Sequence, residues 1–359
     1  MSVASLPERV NALANSERAC FERLFAMSVN SDKPSPGAIV REGQPGASRA
    51  TPIVRISNRW AFEGTAFDPR RKRRTAPVSD TFLQLLRRCQ TPGQSCPLCP
   101  EEMGGCLPDS ISDDHCLILD PRVKFDGYHA LIAFTEHNPL VYTEAAIARY
   151  LEMGEAWAQA CYRDSLRTGC DPAVFYLFTW NCLCGSLVHG HAQVVSHTLF
   201  PSPRLALLAD AARRYRVTGH DYFEDLWLAH WALGLGLEVG AARVMASLTP
   251  IKERECLILT RVGDDWHNLA RALLLALTTL QADQPYGLWS FNLVVYLPPL
   301  APVPGWEDWP ILARLVDRGW PLLGVVDMGT MELYAESIVA HDPFILAAAL
   351  RRQVEAIQP

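Results

Sequence analysis

Apolar residues recur at helical spacing near the start of the chain. Leu6, Val10, Leu13, Phe21, Leu24 and Phe25 predict one amphipathic helix over residues 4–27. The Ser/Pro/Gly-rich stretch from Ser28 to Thr51 reads as a linker or a wrapping arm. Ile53-Val54-Arg55-Ile56 predicts a strand, and a Cys-rich loop runs from Gln94 to Cys116. After that loop one pattern occurs twice. His129 to Thr135 alternates as a strand, Glu136-His137-Asn138-Pro139 is a turn, Glu144 to Leu166 is a helix, and Ala173 to Thr179 is a second strand. The same order returns as strand Glu255 to Arg261, turn Val262 to Asp265, helix Trp266 to Ala282 and strand Ser290 to Tyr296. Two copies of one α+β unit follow from this.

The copies differ in polar content. The first has histidines at its turn and after its last strand. The second has Gly263-Asp264 at the turn, then the apolar run Leu293 to Leu297 and Pro298-Pro299. Chemistry is therefore expected on the first copy, with the second supplying packing and ligand walls. The expected organisation is an N-terminal helix and arm (1–51), a chemistry-bearing repeat (52–205) and a second repeat (206–359).

Composition narrows the function classes. The chain has 359 residues, 49% of them hydrophobic, enough for a sizeable core. A net charge of −6 provides no global basic field for nucleic acid, so a phosphate ligand needs a local site. No apolar run reaches the roughly 18 residues of a membrane span, and Met1 to Phe25 has no signal-peptide core, so a cytoplasmic protein is expected. Eleven cysteines are too few for a disulfide scaffold of this length. In a reducing compartment, close pairs read as metal ligands.

The strongest local signal is Asn181-Cys-Leu-Cys-Gly185-Ser186-Leu-Val-His189-Gly-His191-Ala-Gln193. On a strand, His189, His191 and Gln193 share one face, while Gly190 and Ala192 are small and face something packed closely behind. One imidazole can bind metal while the other keeps a free nitrogen as nucleophile. Gly185-Ser186 offers backbone N–H groups and a hydroxyl to phosphate oxygens. Two histidines on a half-buried strand are also compatible with satisfied core residues. Cys96-Pro-Leu-Cys99 places two sulfurs within reach of one tetrahedral zinc. The other two ligands are either the local Cys106 and Cys116 or the distal His137 and His189. The distal set would fix loop, turn and active strand together. The run Arg70-Arg71-Lys72-Arg73-Arg74 reads as a solvated or interface surface, or as phosphate contact. Glu136 and His129 read as structural, as do the strand aromatics Trp180, Trp289, Phe291 and Tyr296.

Together, Cys96-x-x-Cys99, His137 after an apolar strand, Asn181, Gly185-Ser186 and His189-x-His191-x-Gln193 resemble galactose-1-phosphate uridylyltransferase and its relatives in the histidine-triad (HIT) superfamily. The resemblance covers about residues 52 to 200, and more loosely the second repeat. It implies two HIT-like repeats in an α+β fold, with a mostly antiparallel sheet forming a half-barrel flanked by helices. It also implies structural Zn2+ on Cys96, Cys99, His137 and His189, and His191 as the nucleophile. Asn181, Gly185, Ser186 and Gln193 would hold the phosphates. Arg70 and Arg71, which the family pattern does not match, would add charge there as a separate reading of the basic run. A homodimer whose partner contributes to the site is usual for such a fold. The chain departs at Gly190, where the uridylyltransferases usually carry Pro, and lacks their second His-x-His before Pro298-Pro299. That departure speaks against a second metal site and against galactose phosphate as the substrate.

The expected activity is nucleotidyl transfer by double displacement. A nucleotide or nucleotide-sugar donor passes its nucleoside monophosphate to His191, and a phosphorylated acceptor takes it up. Delivery to inorganic phosphate or water, as a phosphorylase or hydrolase, uses the same histidine. A non-catalytic zinc-stabilised nucleotide-binding protein is the alternative from another class.

Overall fold

The computed structural model describes residues 2–30, 52–68, 84, 87, 96–99, 113–121, 124–182, 188–263, 265–283, 288, 290–319, 336–339 and 341–357. After a short 3-10 turn come α1 (Leu6–Ala12), α2 (Asn15–Leu24), β1 (Phe25–Asn30), β2 (Ile53–Asn58) and β3 (Gly64–Phe67). The first repeat then contains β4 (Cys116–Leu119), β5 (Tyr128–Phe134), α3 (Glu144–Thr168), β6 (Phe175–Cys182) and β7 (His191–His197). Two helices, α4 (Pro203–Arg216) and α5 (Tyr222–Ala232), and the hairpin β8 (Gly236–Val239) and β9 (Ala242–Ala246) intervene. The second repeat has β10 (Glu253–Thr260), α6 (Trp266–Ala282), β11 (Phe291–Tyr296) and β12 (Ile311–Asp317), followed by β13 (Glu336–Val339) and α7 (Pro343–Ile357).

The expected N-terminal helix is two helices. Leu13 and Ala14 are extended, and α2 restarts where the Glu17 carboxylate accepts the Ala14 N–H at 3.1 Å. It ends at Leu24 because Phe25 to Asn30 pairs in register with β2, so Ser28 to Asn30 is strand where a linker was expected. The segment between the repeats, for which the periodicity gave no elements, supplies α4, α5 and the β8–β9 hairpin.

Strand order in the large sheet is β4-β5-β7-β6-β11-β12-β10-β9-β8. Every pairing within it is antiparallel, and it does not close into a barrel. The order β5-β7-β6 on one side is mirrored by β11-β12-β10 on the other, as a twice-occurring unit requires. The small sheet runs β1-β2-β3-β13.

Alternation along the strands sets two faces. Tyr176, Phe178 and Trp180 of β6 lie with Ala192 and Val194 of β7 under α3 and are buried. The helix approaches closely there. A Cβ on Gly154 of α3 would meet Val194 Cγ2 at 3.0 Å and Phe178 Cδ2 at 3.1 Å. Thr143 caps the start of α3, its side chain accepting the Ala146 N–H, and Gly169 ends it at φ +72°. The other face carries His191 and Gln193 of β7, Thr179 and Asn181 of β6, Asn292 of β11 and Arg314 of β12.

In the second repeat that other face is covered. The Arg314 guanidinium donates to both Glu63 carboxylate oxygens, at 2.8 and 2.9 Å, and Arg204 of α4 donates to Glu63 at 2.7 Å. Arg314 and Glu63 are buried, with side chains 4% and 6% exposed. Burial pushes the Glu63 carboxyl up, and the two arginines more than reverse it. Glu255 of β10 lies 3.7 Å from Arg314 Nε, and burial pushes its carboxyl up to about 7 against the pull of Arg314. Arg314→Met is expected to lower unfolding free energy by about 3 kcal/mol, because a buried carboxylate loses its bidentate partner. Arg314→Met with Glu63→Met should recover most of that loss in urea unfolding, and a double mutant no better than the single would refute the pairing as its cause.

Candidate functional site

Four ligand-type side chains converge from three separate segments. Cys96 and Cys99 sit in a turn closed by the Cys99 N–H donating to the Cys96 carbonyl at 3.1 Å. His137 follows β5 in a turn held by the Asn138 N–H on the Glu136 carboxylate at 2.8 Å. His189 lies two residues before β7. Cys96 Sγ and Cys99 Sγ are 3.4 and 3.6 Å from His189 Nδ1. Cys99 Sγ is 3.3 Å from His137 Nδ1, and the two Nδ1 atoms are 3.1 Å apart. All four ligand atoms lie within 4.8 Å of one another. Bonds of roughly 2.3 Å to sulfur and 2.0–2.1 Å to nitrogen in a tetrahedron require edges of about 3.5 Å for S···N and 3.3 Å for N···N. The cluster has those edges and could hold one metal ion. Of the local alternative, Cys116 is on β4 outside this group, and Cys106 lies outside the described residues.

The His189 ring is set for that purpose. Its Nε2 lies 2.6 Å from the Phe134 carbonyl, which can only accept, so Nε2 carries the proton and Nδ1 keeps a lone pair toward the cluster. Strand geometry does not extend to His189, contrary to the shared face expected for it with His191 and Gln193. The Gly190 carbonyl still accepts from the Phe134 N–H at 3.0 Å, but its own N–H goes to the His137 carbonyl at 3.2 Å. The chain turns there, and His189 swings into the cluster. Gly190 is closely packed as expected, since a Cβ would lie 2.8 Å from Phe134 Cδ2.

His191 opens β7 and is 7% exposed. Its Nδ1 is 2.8 Å from the His189 carbonyl. That oxygen also only accepts, so Nδ1 is protonated and the Nε2 lone pair is left for chemistry. Burial pulls the imidazole pKa down more than the carbonyl bond raises it, so the ring stays neutral.

Cross-strand register builds a polar row around this ring. Trp180 pairs with Ala192, and one further step places Asn181 opposite His191. Asn181 in turn pairs with Asn292 of the second repeat. One row along, Thr179 stands opposite Gln193, its hydroxyl donating to the Gln193 carbonyl at 3.4 Å. The Gln193 side-chain oxygen is 2.9 Å from His129 Nε2. Register brings together His191, Gln193 and Asn181, which the motif named. His129 and Asn292, which the motif does not include, join this row only through strand pairing. His129 stands two positions from the Gln193 partner Leu131, and Asn292 sits on a strand more than a hundred residues away in the chain. Gly185, Ser186, Arg70 and Arg71 lie outside the described residues, as does Trp289. Trp180, Phe291 and Tyr296 are core residues.

Solved structures share this fold. The chain is similar to an ADP-glucose phosphorylase from Arabidopsis thaliana solved with bound ADP-glucose, at TM-score 0.58 and 16% identity over 82% of this chain and 97% of that one. A uridylyltransferase matches at TM-score 0.56 and 16% identity, over 86% of this chain and 100% of the other. A GalT-like protein from Arabidopsis thaliana matches at 0.54 and 17%, over 72% and 92%. The α+β fold of the chain is therefore shared with these solved structures. No family model matches the chain, and no curated protein matches it. Among the described residues no helix is long and apolar enough to cross a membrane.

Cys99→Ala should reduce bound metal from stoichiometric to near zero by elemental analysis, with a loss of several kcal/mol in unfolding free energy. Cys116→Ala should leave metal content unchanged. Loss of metal in Cys116→Ala as well would assign the other two ligands to the local cysteines, since Cys99 belongs to both sets.

Proposed function

We propose that the chain is a nucleotidyltransferase that forms a nucleotidyl-histidine on His191, and that its ion is a structural zinc held by Cys96, Cys99, His137 and His189. One observation carries the reading: a buried imidazole whose Nδ1–H is fixed on the His189 carbonyl, leaving the Nε2 lone pair, on a sheet face that register shares with Gln193 and Asn181. Zinc fits the two-thiolate, two-imidazole donor set, and all four coordination positions are filled by protein, so its role is structural. When bound it would fix the Cys96–Cys99 turn, the His137 turn and the entry to β7 in one frame.

In the first step Nε2 of His191 attacks the α-phosphorus of the donor. An N–P bond forms, and the P–O bond to the leaving phosphate or sugar phosphate breaks with its electron pair. In the second step an oxygen of a phosphate-bearing acceptor attacks the same phosphorus and His191 leaves. Phosphoryl chemistry depends on positioned donors around the equatorial oxygens more than on a strong base. Gln193 and Asn181 supply such donors, and the resemblance adds Gly185 and Ser186, with Arg70 and Arg71 as added charge. The fold is shared by a phosphorylase solved with a nucleotide sugar, which supports a nucleotide or nucleotide-sugar donor and keeps inorganic phosphate open as the acceptor.

The first repeat, residues 52–205, carries the chemistry in this reading, and the second, 206–359, supplies the Asn292 wall. A homodimer and a cytoplasmic setting go with it.

Incubation with a panel of uridine, adenosine, guanosine and cytidine diphosphate compounds, without acceptor, should yield an acid-labile nucleoside monophosphate adduct by intact-protein mass spectrometry. His191→Ala should abolish it and cut turnover by on the order of 10⁵-fold, while keeping its metal. Neither an adduct nor released monophosphate, from folded and metal-loaded protein, would leave a nucleotide-binding protein as the surviving reading.

A further inference from the structure

His129 lies on β5, 3% exposed, and both its ring nitrogens are engaged. Nδ1 receives the Phe125 backbone N–H at 3.2 Å, and Nε2 lies 2.9 Å from Gln193 Oε1. A backbone amide can only donate, so Nδ1 must present its lone pair. In the neutral ring the proton is then on Nε2, and Nε2 can only donate to Gln193. The Phe125 ring stacks on the imidazole with centroids 4.5 Å apart and an interplanar angle of 21°, covering one side of it. Burial holds the ring on the neutral side, against the bond to Gln193, with Lys124 and Asp120 as its charged neighbours of opposite effect.

A glutamine carboxamide has two nearly isosteric orientations. One turns its oxygen, the other its NH2 group, toward a given partner. Beside a phosphorus centre only the second helps, because an amide oxygen facing a phosphate oxygen is repulsive. We propose that His129 is a positioning residue for Gln193. It fixes the carboxamide with its oxygen on the imidazole and its two N–H groups available to a phosphate seated at His191. The inference rests on the nucleotidyl-transfer reading above for what Gln193 binds, but the tautomer it requires does not depend on that reading.

Strand register shows the same device in altered form in the second repeat. Gln193 stands opposite Leu131, two residues beyond His129; Arg314 stands opposite Leu257, two residues beyond Glu255. The corresponding pair there is a carboxyl beside a guanidinium, and that guanidinium is occupied by the Glu63 carboxylate. At this place in the unit, one strand sets a group and its neighbour presents donors to an anion.

The test uses full-length, metal-loaded protein and the panel compound that labels His191. The rate of adduct formation is measured at saturating donor for wild type, His129→Leu, His129→Gln, Gln193→Ala and the double variant His129→Leu/Gln193→Ala. His129→Leu should slow adduct formation about 10- to 100-fold, the scale of one misdirected donor, with metal content unchanged. His129→Gln, whose amide NH2 can reach the place of Nε2–H, should restore most of that rate. The double variant should be no slower than Gln193→Ala alone, since His129 acts through Gln193. Additive losses, or His129→Gln as slow as His129→Leu, would overturn the inference. In the ligand-free protein, ¹⁵N NMR of the imidazoles should place the His129 proton on Nε2, the signal identified by its loss in His129→Gln. A proton on Nδ1 overturns the inference whatever the activity. Absence of both wild-type adduct and released monophosphate, with Nε2–H present, would instead refute the transferase reading and leave the orientation of Gln193 standing.

Discussion

One residue joins the two halves of the site. His189 uses its ring on one side, with Nε2–H on the Phe134 carbonyl and Nδ1 toward the Cys96, Cys99 and His137 cluster. It uses its backbone on the other side, where its carbonyl takes the Nδ1–H of His191. Ring and carbonyl belong to one rigid peptide segment, so ordering the cluster also orders the acceptor that selects the His191 tautomer. The turn at Gly190 makes this possible, because its N–H bonds back to the His137 carbonyl and separates His189 from the strand that His191 begins. A metal ion held by that cluster would thus act through this frame and need no open coordination position.

The continuous sheet explains how one unit used twice can give one site. Both repeats direct apolar side chains under their helices and polar ones to the other face. Among the described residues, that face is partly open around Gln193, Asn181 and Asn292 and closed at Arg314. In the second, the loop between β2 and β3 lays Glu63 across Arg314, and Arg204 closes the group from α4. Glu63 and Arg314 are buried, and two buried charges in contact are costly to desolvate and are held only by good mutual geometry. The arrangement thus fixes the small sheet to the large one more by specificity than by net stabilisation. It also fills, from within the chain, the position that in the first repeat is proposed to face a ligand.

Much of this was legible in the sequence. The helix Trp266–Ala282 has the bounds its periodicity predicts, and Cys96, Cys99, His137 and His189 converge as their spacing and residue types suggest. These signals are local: a helical stripe, a two-residue gap, a small residue between two histidines. What was not legible depends on which strand lies beside which. His129 looked structural because nothing near it in the chain is reactive, and its partner Gln193 is reached only across the β5–β7 ladder. Asn292 looked like one polar residue in an apolar strand until β11 was placed against β6. The N-terminal stripe was read as one helix because the apolar period continues through Leu13 and Ala14. Periodicity does not register that two residues adopt extended dihedrals and that Phe25 is claimed by β2.

The donors on the open face bear on the charge state the chemistry needs. A carboxylate against His191 would favour the imidazolium, which has no lone pair for phosphorus. The polar side chains that register places beside it are amides, Asn181 and Asn292, with Gln193 one row along. Amides orient phosphate oxygens without stabilising a proton on the neighbouring ring. Burial then decides the matter in favour of the neutral form, and the His189 carbonyl decides which nitrogen is free. Neutral donors have one weakness that charged ones lack: a carboxamide turned over becomes an acceptor. A site that relies on Gln193 therefore needs something to prevent the flip, and among the described residues the His129 imidazole, itself held by the Phe125 backbone, is the group bonded to that carboxamide.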